Sequence, residues 1–354
     1  MKLNAFTALF FAATANAITF DDLSAEEQRA LTAELDEWKA SEDGQVALAR
    51  GLIPKPSKLE AAGELSQVER FFASKQAVER LRLEQPHATF SVNHPFALLT
   101  PEEFADMVRG SFEQSQKLRE GVEVETRQLA AEAKDSVDWT THKCLPEVRN
   151  QGKCGSCYAF AAVAVAEFAH CLNTGEKVDI AVQQLVSCDR SSGGGCDGGS
   201  ARSAMDTLAR SPMCLAADYP YTSGTTKVNG ECASAKCPVK KELKIGMAVR
   251  TSGEGNLVAS LQQRPTAVTV EAGNDAWRHY SGGVVTSCPG ARSDHAVLAV
   301  AYGVENGIPF YKIKNSWGAN WGDKGYIKLQ RDAKNTYSGM CNVGEGPMYH
   351  RPRK

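Results

Sequence analysis

Two cysteines, Cys154 and Cys157, stand in C-x-x-C spacing within the stretch NQGKCGSCYAFAAVAVAEFAHC, Asn150 to Cys171. That spacing serves three chemistries: a dithiol redox pair, half of a metal site, or a nucleophile beside an unrelated structural cysteine. A metal half-site needs a second ligand pair, and the chain has no further C-x-x-C and no H-x-x-x-H, so no metal is expected. Cys157 opens the apolar run Tyr158 to Ala169, which reads as a buried helix. A thiol at a helix N-terminus faces the positive end of the helix dipole, which lowers its pKa. Gly152 and Gly155 let the backbone approach closely just before it.

A cysteine nucleophile needs a base that is distant in sequence but close in space. His87 and His94 lie in a cysteine-free segment, and His142, His279 and His350 have no evident orienting partner. His170 is on the same helix as Cys157, roughly 20 Å away at ~1.5 Å per residue, and cannot reach. His295 follows Asp294 and begins the apolar strand HAVLAVAYG, a rigid mount for a base. Asn315 sits in KNSWGANWG, where a strand runs into a loop rich in glycine and tryptophan. Its amide can hold the imidazole, and Trp317 can shield that hydrogen bond from water. Each of these residues alone is more often structural; together and in this order they point to a site.

The elements that must position them divide the chain in two. From Phe20 to about Gln128 it is charged, cysteine-free and helix-like. Leu23 to Leu48 reads as one helix and Leu65 to Leu83 as a second, with Val68, Phe71, Phe72, Val78 and Leu81 on its apolar face. Pro54 and Pro56 separate them. Thr100 caps a third helix with Pro101 in its first turn. From about Ala133 glycines and turns become dense, and GGGCDGG (Gly193 to Gly199) must be loop. Thr266–Ala272, His295–Gly303, Pro309–Trp317 and Gly325–Gln330 read as strands, several alternating apolar with polar residues. The second part is therefore a helical half followed by a β half.

Composition narrows the class. The formal net charge is −2, which gives no electrostatic reason to expect nucleic acid. Lys2, the apolar run Ala5 to Ala13 and the small-x-small triplet Ala15-Asn16-Ala17 read as a signal peptide. No later stretch is long and uncharged enough to cross a membrane, so a protein of the secretory pathway is expected. All 11 cysteines lie between Cys144 and Cys341, as in an oxidised domain. The odd count leaves at least one without an intrachain partner.

From about Ala133 to the end the chain resembles a papain-family, cathepsin L-like cysteine protease made as a zymogen. Cys154-Gly155-Ser156-Cys157-Tyr158 matches the family signature C-G-[SA]-C-[WY], with His295 and Asn315 well downstream. Gln151 in NQGKCGSC and the NSWGANWG loop complete the order Gln, Cys, His, Asn. The resemblance implies an α+β, two-lobed fold: a helical lobe and a β-barrel-like lobe with the active-site cleft between them, preceded by a helical propeptide. The expected divisions are residues 1–17 as signal peptide, 18–133 as inhibitory propeptide and 134–354 as peptidase.

By the same resemblance Cys157 is the thiolate nucleophile, His295 its imidazolium partner, and Asn315 the residue that orients His295. Gln151 and the Cys157 N–H form the oxyanion hole. Gly198, Gly199, Ser200, Ala201, Asp294, Trp317 and Gly346 contact substrate, with Gly346 at the floor of a roomy, apolar pocket for the second residue before the scissile bond; a one-residue slip of the alignment would instead put Glu345 there and favour arginine. The family bridges are Cys154–Cys196, Cys288–Cys341 and Cys188–Cys232. The stretch MCLAADYPY…ECASAKC resembles the protozoan vacuolar branch known as falcipains and adds Cys214–Cys237; Cys144 and Cys171 are left over and pair only by counting. In the first segment ERFF, Glu69 to Phe72, partly echoes the family's prodomain helix. FALLTPEEF, Phe96 to Phe104, resembles a second prodomain element, with His94 in place of its Asn and Leu98 in place of its Asp.

The implied partners are protein or peptide substrates, the chain's own propeptide as inhibitor, and cystatin-type inhibitors, with no nucleic acid, membrane or cofactor. A monomer that is secreted or held in a lysosome- or vacuole-like compartment follows. Two alternatives remain: a thiol–disulfide oxidoreductase using Cys154 and Cys157, and a catalytically inactive papain-like binding protein.

Overall fold

The computed structural model describes residues 18–56, 64–109, 134–332 and 338–351. The signal-peptide reading at Lys2 to Ala17 and the stretch 110–133 lie outside the described residues. The N-terminal segment holds helices α1 (Ala25–Ala40), α2 (Glu42–Ala49), α3 (Gln67–Glu84) and α4 (Pro101–Arg109). The single helix expected over Leu23 to Leu48 is instead two. Ser41 takes an extended conformation, ends α1 and caps α2 by accepting a hydrogen bond from Gly44 N. A Cβ at Gly44 would lie 2.1 Å from the Trp38 carbonyl oxygen, so glycine is what allows the chain to fold back there. Ser66 and Glu69 form a reciprocal capping box at the start of α3, and the Thr100 hydroxyl accepts from Glu103 N at the start of α4.

Helix α3 buries Phe71, Phe72, Val78 and Leu81, together with an arginine. Arg70 is only 3% exposed. Its guanidinium donates to Glu103 at 2.5 Å and Glu64 at 2.7 Å, and to the carbonyl oxygens of Leu98 and Leu65. It thereby ties α3 to the turn before α4. Where the resemblance led us to look for an aspartate, Leu98 is a buried apolar residue whose carbonyl accepts from Arg70.

Nine strands among the described residues form one sheet in the order β1-β7-β10-β9-β8-β6-β11-β5, with β2 on β8. They are β1 (Ala88–Phe90), β2 (Val137–Asp138), β5 (Ala248–Arg250), β6 (Thr266–Val270), β7 (Tyr280–Val285), β8 (His295–Glu305), β9 (Ile308–Lys314), β10 (Tyr326–Gln330) and β11 (Met348–His350). The short strands β3 (Met213–Cys214) and β4 (Lys240–Lys241) pair separately. The sheet is not confined to the C-terminal half: β1 of the N-terminal segment pairs antiparallel with β7, and β2, ahead of the helical half, pairs with β8. Runs of two or three residues carry too little periodicity to be read from sequence.

Helix α5 (Cys157–Thr174) is buried on all sides from Cys157 to Cys171 and stops at Gly175 in the left-handed region, φ 77°. Helices α6 (Val182–Cys188), α7 (Ala201–Arg210), α8 (Glu254–Leu261) and α9 (Asp275–His279) complete the set used below. Strands β6 and β8 stand between two cores, which is why they are buried on both faces rather than one. Val268, Val270, Val297 and Ala299 join the core of the β lobe. The intervening Ala267, Ala296, Leu298 and Val300 join the core of α5. Alternation is present, but as a choice between two apolar neighbours.

Replacing Arg70 by Ala strands the buried Leu98 carbonyl. Leaving buried acceptors unsatisfied costs about 1–3 kcal/mol. Amide exchange of the full-length chain should show protection of α3 and α4 falling by roughly 10–100-fold with β8 unchanged. Unchanged protection of α3 would refute the tie.

Candidate active site

Cys157 is the first residue of α5, with Ser156 as N-cap. The Ser156 side chain does not cap the helix; its hydroxyl lies 2.7 Å from the Tyr221 hydroxyl. The Ala159 and Phe160 N–H groups donate instead to the Ser156 carbonyl, at 2.9 and 3.1 Å. The cysteine is completely buried, and it is the residue left outside five disulfides: Cys144–Cys171, Cys154–Cys196, Cys188–Cys232, Cys214–Cys237 and Cys288–Cys341. Cys154 is thus bonded to Cys196 and does not form a dithiol with Cys157.

His295 begins β8 and pairs with Val270 of β6. Its Nε2 lies 2.8 Å from Asn315 Oδ1. The Ser316 N–H donates to that same oxygen at 2.8 Å, which identifies it as the carbonyl oxygen of the amide. His295 Nε2 must therefore carry the hydrogen, and in the neutral ring Nδ1 is the basic nitrogen. Nδ1 is buried and makes no hydrogen bond among the described residues. Burial pushes the ring's pKa down to about 4, opposed by the Asn315 hydrogen bond.

Gln151 is placed by both lobes. Its N–H donates to the Ser316 carbonyl at 2.8 Å, its Oε1 accepts from the Ser316 hydroxyl at 2.7 Å, and its Nε2 donates to the Cys154 carbonyl at 3.1 Å. Ser316 stands inside the quoted NSWG motif, yet its bridging role was missed; the signal was adjacency to Asn315. Asn315 and Ser316 also share a cavity of about 20 Å³ with Phe160 and Ala164 of α5. The helix that Cys157 starts therefore abuts the loop that orients His295.

Trp317 stacks on His295 with ring centroids 4.8 Å apart and planes at 24°. Over its other surfaces lie two rings of the N-terminal segment, Phe96 at 5.6 Å and Phe104 at 5.5 Å. Arg50 donates to the Trp317 carbonyl at 3.0 Å, and Lys153, beside Cys154, donates to the Gly51 carbonyl. Phe96, Phe104 and the α2 end thus cover this side of the site; the connection from 110 toward Gln128 lies outside the described residues.

The other expected contact residues are spread around it. A Cβ at Gly199 would lie 2.8 Å from the Tyr158 ring, and the Gly198 carbonyl accepts from Gly194 N. Ser200 spends its hydroxyl as the N-cap of α7, and Ala201 is the first residue of that helix. Asp294 accepts from the N–H groups of Ala272 and Gly273, anchoring the loop after β6. Glu345 accepts from the Ser293 hydroxyl. A Cβ at Gly346 would lie 2.8 Å from Arg250 Nε, so a guanidinium packs against this glycine.

Two charged groupings escaped the sequence reading. Arg149 donates to Glu167 at 2.8 Å and Asp179 at 2.7 Å across the helical lobe. Lys314, buried beside Asn315, is held down to about 7 by burial and the Arg149 charge. Nor is His279 without a partner: its Nδ1 lies 2.9 Å from Nε2 of His94, in the N-terminal segment. Contacts between residues so far apart in the chain leave no local pattern.

The sequence profile described as "Papain family cysteine protease" matches residues 133–351. The chain is 36% identical over 273 residues to the probable cysteine protease RDL2 of Arabidopsis thaliana, covering 75% of this chain and 73% of that protein. It is 32% identical over 262 residues to the KDEL-tailed cysteine endopeptidase CEP2 of Arabidopsis thaliana, covering 72% and 71%. The crystal structure of the ragweed pollen cysteine protease Amb a 11 in its proform superposes with a TM-score of 0.76 at 29% identity, covering 92% of this chain and 95% of that one.

Thiol titration of the denatured, unreduced chain should give one thiol per molecule and none after Cys157→Ala, with far-UV circular dichroism unchanged. A thiol count that survives the substitution would contradict the five-disulfide arrangement.

Proposed function

The chain belongs to the papain family of cysteine proteases, and from that premise we propose a role for each residue of its site. It is a cysteine-type endopeptidase made as a proform. The observation that carries the assignment of roles is the His295–Asn315 hydrogen bond of 2.8 Å, whose polarity leaves Nδ1 as the base.

Cys157 gives its thiol proton to His295 Nδ1, and the thiolate sulfur attacks the scissile carbonyl carbon. The oxyanion that develops is met by the Cys157 N–H and Gln151 Nε2, donors already fixed before the reaction begins. As the tetrahedral species collapses, the C–N bond breaks and the imidazolium returns its proton to the leaving amine. Water then attacks the thioester, His295 takes its proton, and the acid product leaves with the thiol restored. Asn315 keeps the ring in one tautomer throughout, and Trp317 excludes water from that bond.

Residues 18–133 act as the propeptide and 134–354 as the peptidase, with 1–17 as the leader. The Phe96 and Phe104 contacts on Trp317 support this reading, since they cover the site in the intact chain. Burial then favours a neutral imidazole in the precursor. The five disulfides, the leader and the KDEL tail in the name of one relative favour a route through the secretory pathway, to the medium or a lysosome- or vacuole-like compartment. The mature enzyme acts as a monomer, and its cleft is the surface a cystatin-type inhibitor would occupy. Arg250 behind Gly346 disfavours a cationic side chain at the second residue before the scissile bond.

Cys157→Ala should abolish peptide hydrolysis. His295→Ala should lower kcat/KM by about 10²–10⁴-fold, and Asn315→Ala by less, because the pair survives but the ring is less well held. The opposite order would overturn these roles. Phe-Arg substrates should be cleaved faster than Arg-Arg, and Arg250→Ala should narrow the gap; a strong preference for Arg-Arg in the parent enzyme would refute the pocket reading.

A further inference from the structure

Two imidazoles meet where the propeptide joins the peptidase. His94 follows β1, and His279 ends α9 just before β7, the strand that β1 pairs with. They are 2% and 0% exposed. The backbone binds beside them, Ser91 N donating to the His279 carbonyl at 2.9 Å. His94 Nε2 and His279 Nδ1 are 2.9 Å apart.

The protons in this pair can be placed from geometry. The Phe96 N–H donates to His94 Nδ1 at 3.1 Å, so that nitrogen is an acceptor and carries no hydrogen. A neutral His94 therefore bears its hydrogen on Nε2 and donates it to His279 Nδ1. His279 then carries its own hydrogen on Nε2, which is buried and has no hydrogen-bond partner among the described residues. Every ring nitrogen is committed. A proton added to His94 Nδ1 would face the Phe96 N–H, and one added to His279 Nδ1 would face the His94 N–H.

We propose that the His94–His279 pair is the acid-sensitive latch of this precursor: the propeptide docks only while both rings are neutral, and proton uptake by either one releases it. This rests on the proform reading and names its trigger. The release is aimed at the site, because Phe96, two residues after His94, lies on the Trp317 ring that stacks on His295.

The surrounding charges oppose an imidazolium. Arg278 precedes His279, and Arg80 of α3 reaches the same region. The carboxylates close by are already engaged or face an arginine: Asp275 bonds Arg80 at 2.7 Å and Arg278 at 2.9 Å, and Glu102 of α4 faces Arg278. The backbone at Ser91 offsets this only in part. Burial and then Arg278 push His94 down to about 3. Burial, then His94, then Arg278 push His279 well below 6.5.

A depressed pKa in the docked state means that docking is fully supported above the free value, near 6.5. Support is lost as pH falls below it, about tenfold per pH unit for each proton taken up on release. Between pH 6.5 and 4.5 one proton thus weakens docking by roughly fiftyfold.

The test uses the full-length Cys157→Ser chain, which cannot cut itself, and reads amide exchange over Phe96 to Arg109 from pH 7.5 to 4.5. His94→Gln keeps a donor and His279→Asn keeps an acceptor, and neither titrates. Protection in the parent chain, corrected for the intrinsic pH dependence of exchange, should collapse below pH 6.5. Each variant should be protected at pH 7.5 and lose protection at least one pH unit lower. Loss at the same pH in parent and variants overturns the latch. Should a variant be unprotected at pH 7.5, proton uptake by the parent chain decides: release between pH 6.5 and 5 must take up at least one proton, and release without uptake overturns the proposal. A wild-type full-length chain that cleaves peptides at pH 7.5 as fast as the processed enzyme refutes the proform reading instead.

Discussion

From Cys157 to Cys171 helix α5 has no solvent face, and that single constraint organises the molecule. A helix that is apolar all round must be enclosed, and its many alanines let neighbours come close. Here β6 and β8 present Ala267, Ala296 and Leu298 to it, while α7 and α6 close the far side with Ala204, Leu208 and Leu185. Because the enclosure is tight, the start of α5 has little freedom relative to the start of β8, and those two starts carry Cys157 and His295. Two chain segments far apart in sequence are thereby held in one geometry by packing rather than by any bond between them.

Enclosure also forces charge indoors. Glu167 lies on the buried helix at 2% exposure and needs compensation, which Arg149 and the Ile180 N–H supply. Losing one member of such a group costs more than the group contributes as a whole, because the remaining charge is left buried. Arg149 stands two residues before Gln151, so the electrostatics of the lobe interior also fix the chain that carries the amide donor.

Three residues of the proposed site were legible because each is tied to a local signal, Cys157 to a helix start, His295 to a strand start and Asn315 to a strand end, whereas Gln151 came only with the family resemblance. The long strands were legible as well. What escaped depends on partners far away in the chain. His94 and His279 are separated by 185 positions, and neither looks remarkable in its own neighbourhood. Ser41 shows a different limit: the residues around it favour helix, and only the collision that Gly44 avoids reveals the break. The approach of Arg250 to Gly346 was hidden for the same reason, since it comes from another strand.

On the proposed division of the chain, strand β1 belongs to the propeptide, but it completes the sheet. While it is in place, β7 is an interior strand, flanked by β1 and β10. Once it leaves, β7 becomes a rim, and the main-chain groups that faced Ala88, Thr89 and Phe90 return to water. Bare rims template pairing between molecules. This one is poorly suited to that, because Gly283 has φ 69° and a Cβ there would meet the His87 carbonyl at 2.4 Å. The backbone is kinked to suit one strand in one register. Maturation therefore trades a covered border for an irregular one, and the same irregularity that lets the propeptide strand settle makes the freed enzyme a poor template for stacking against its own copies.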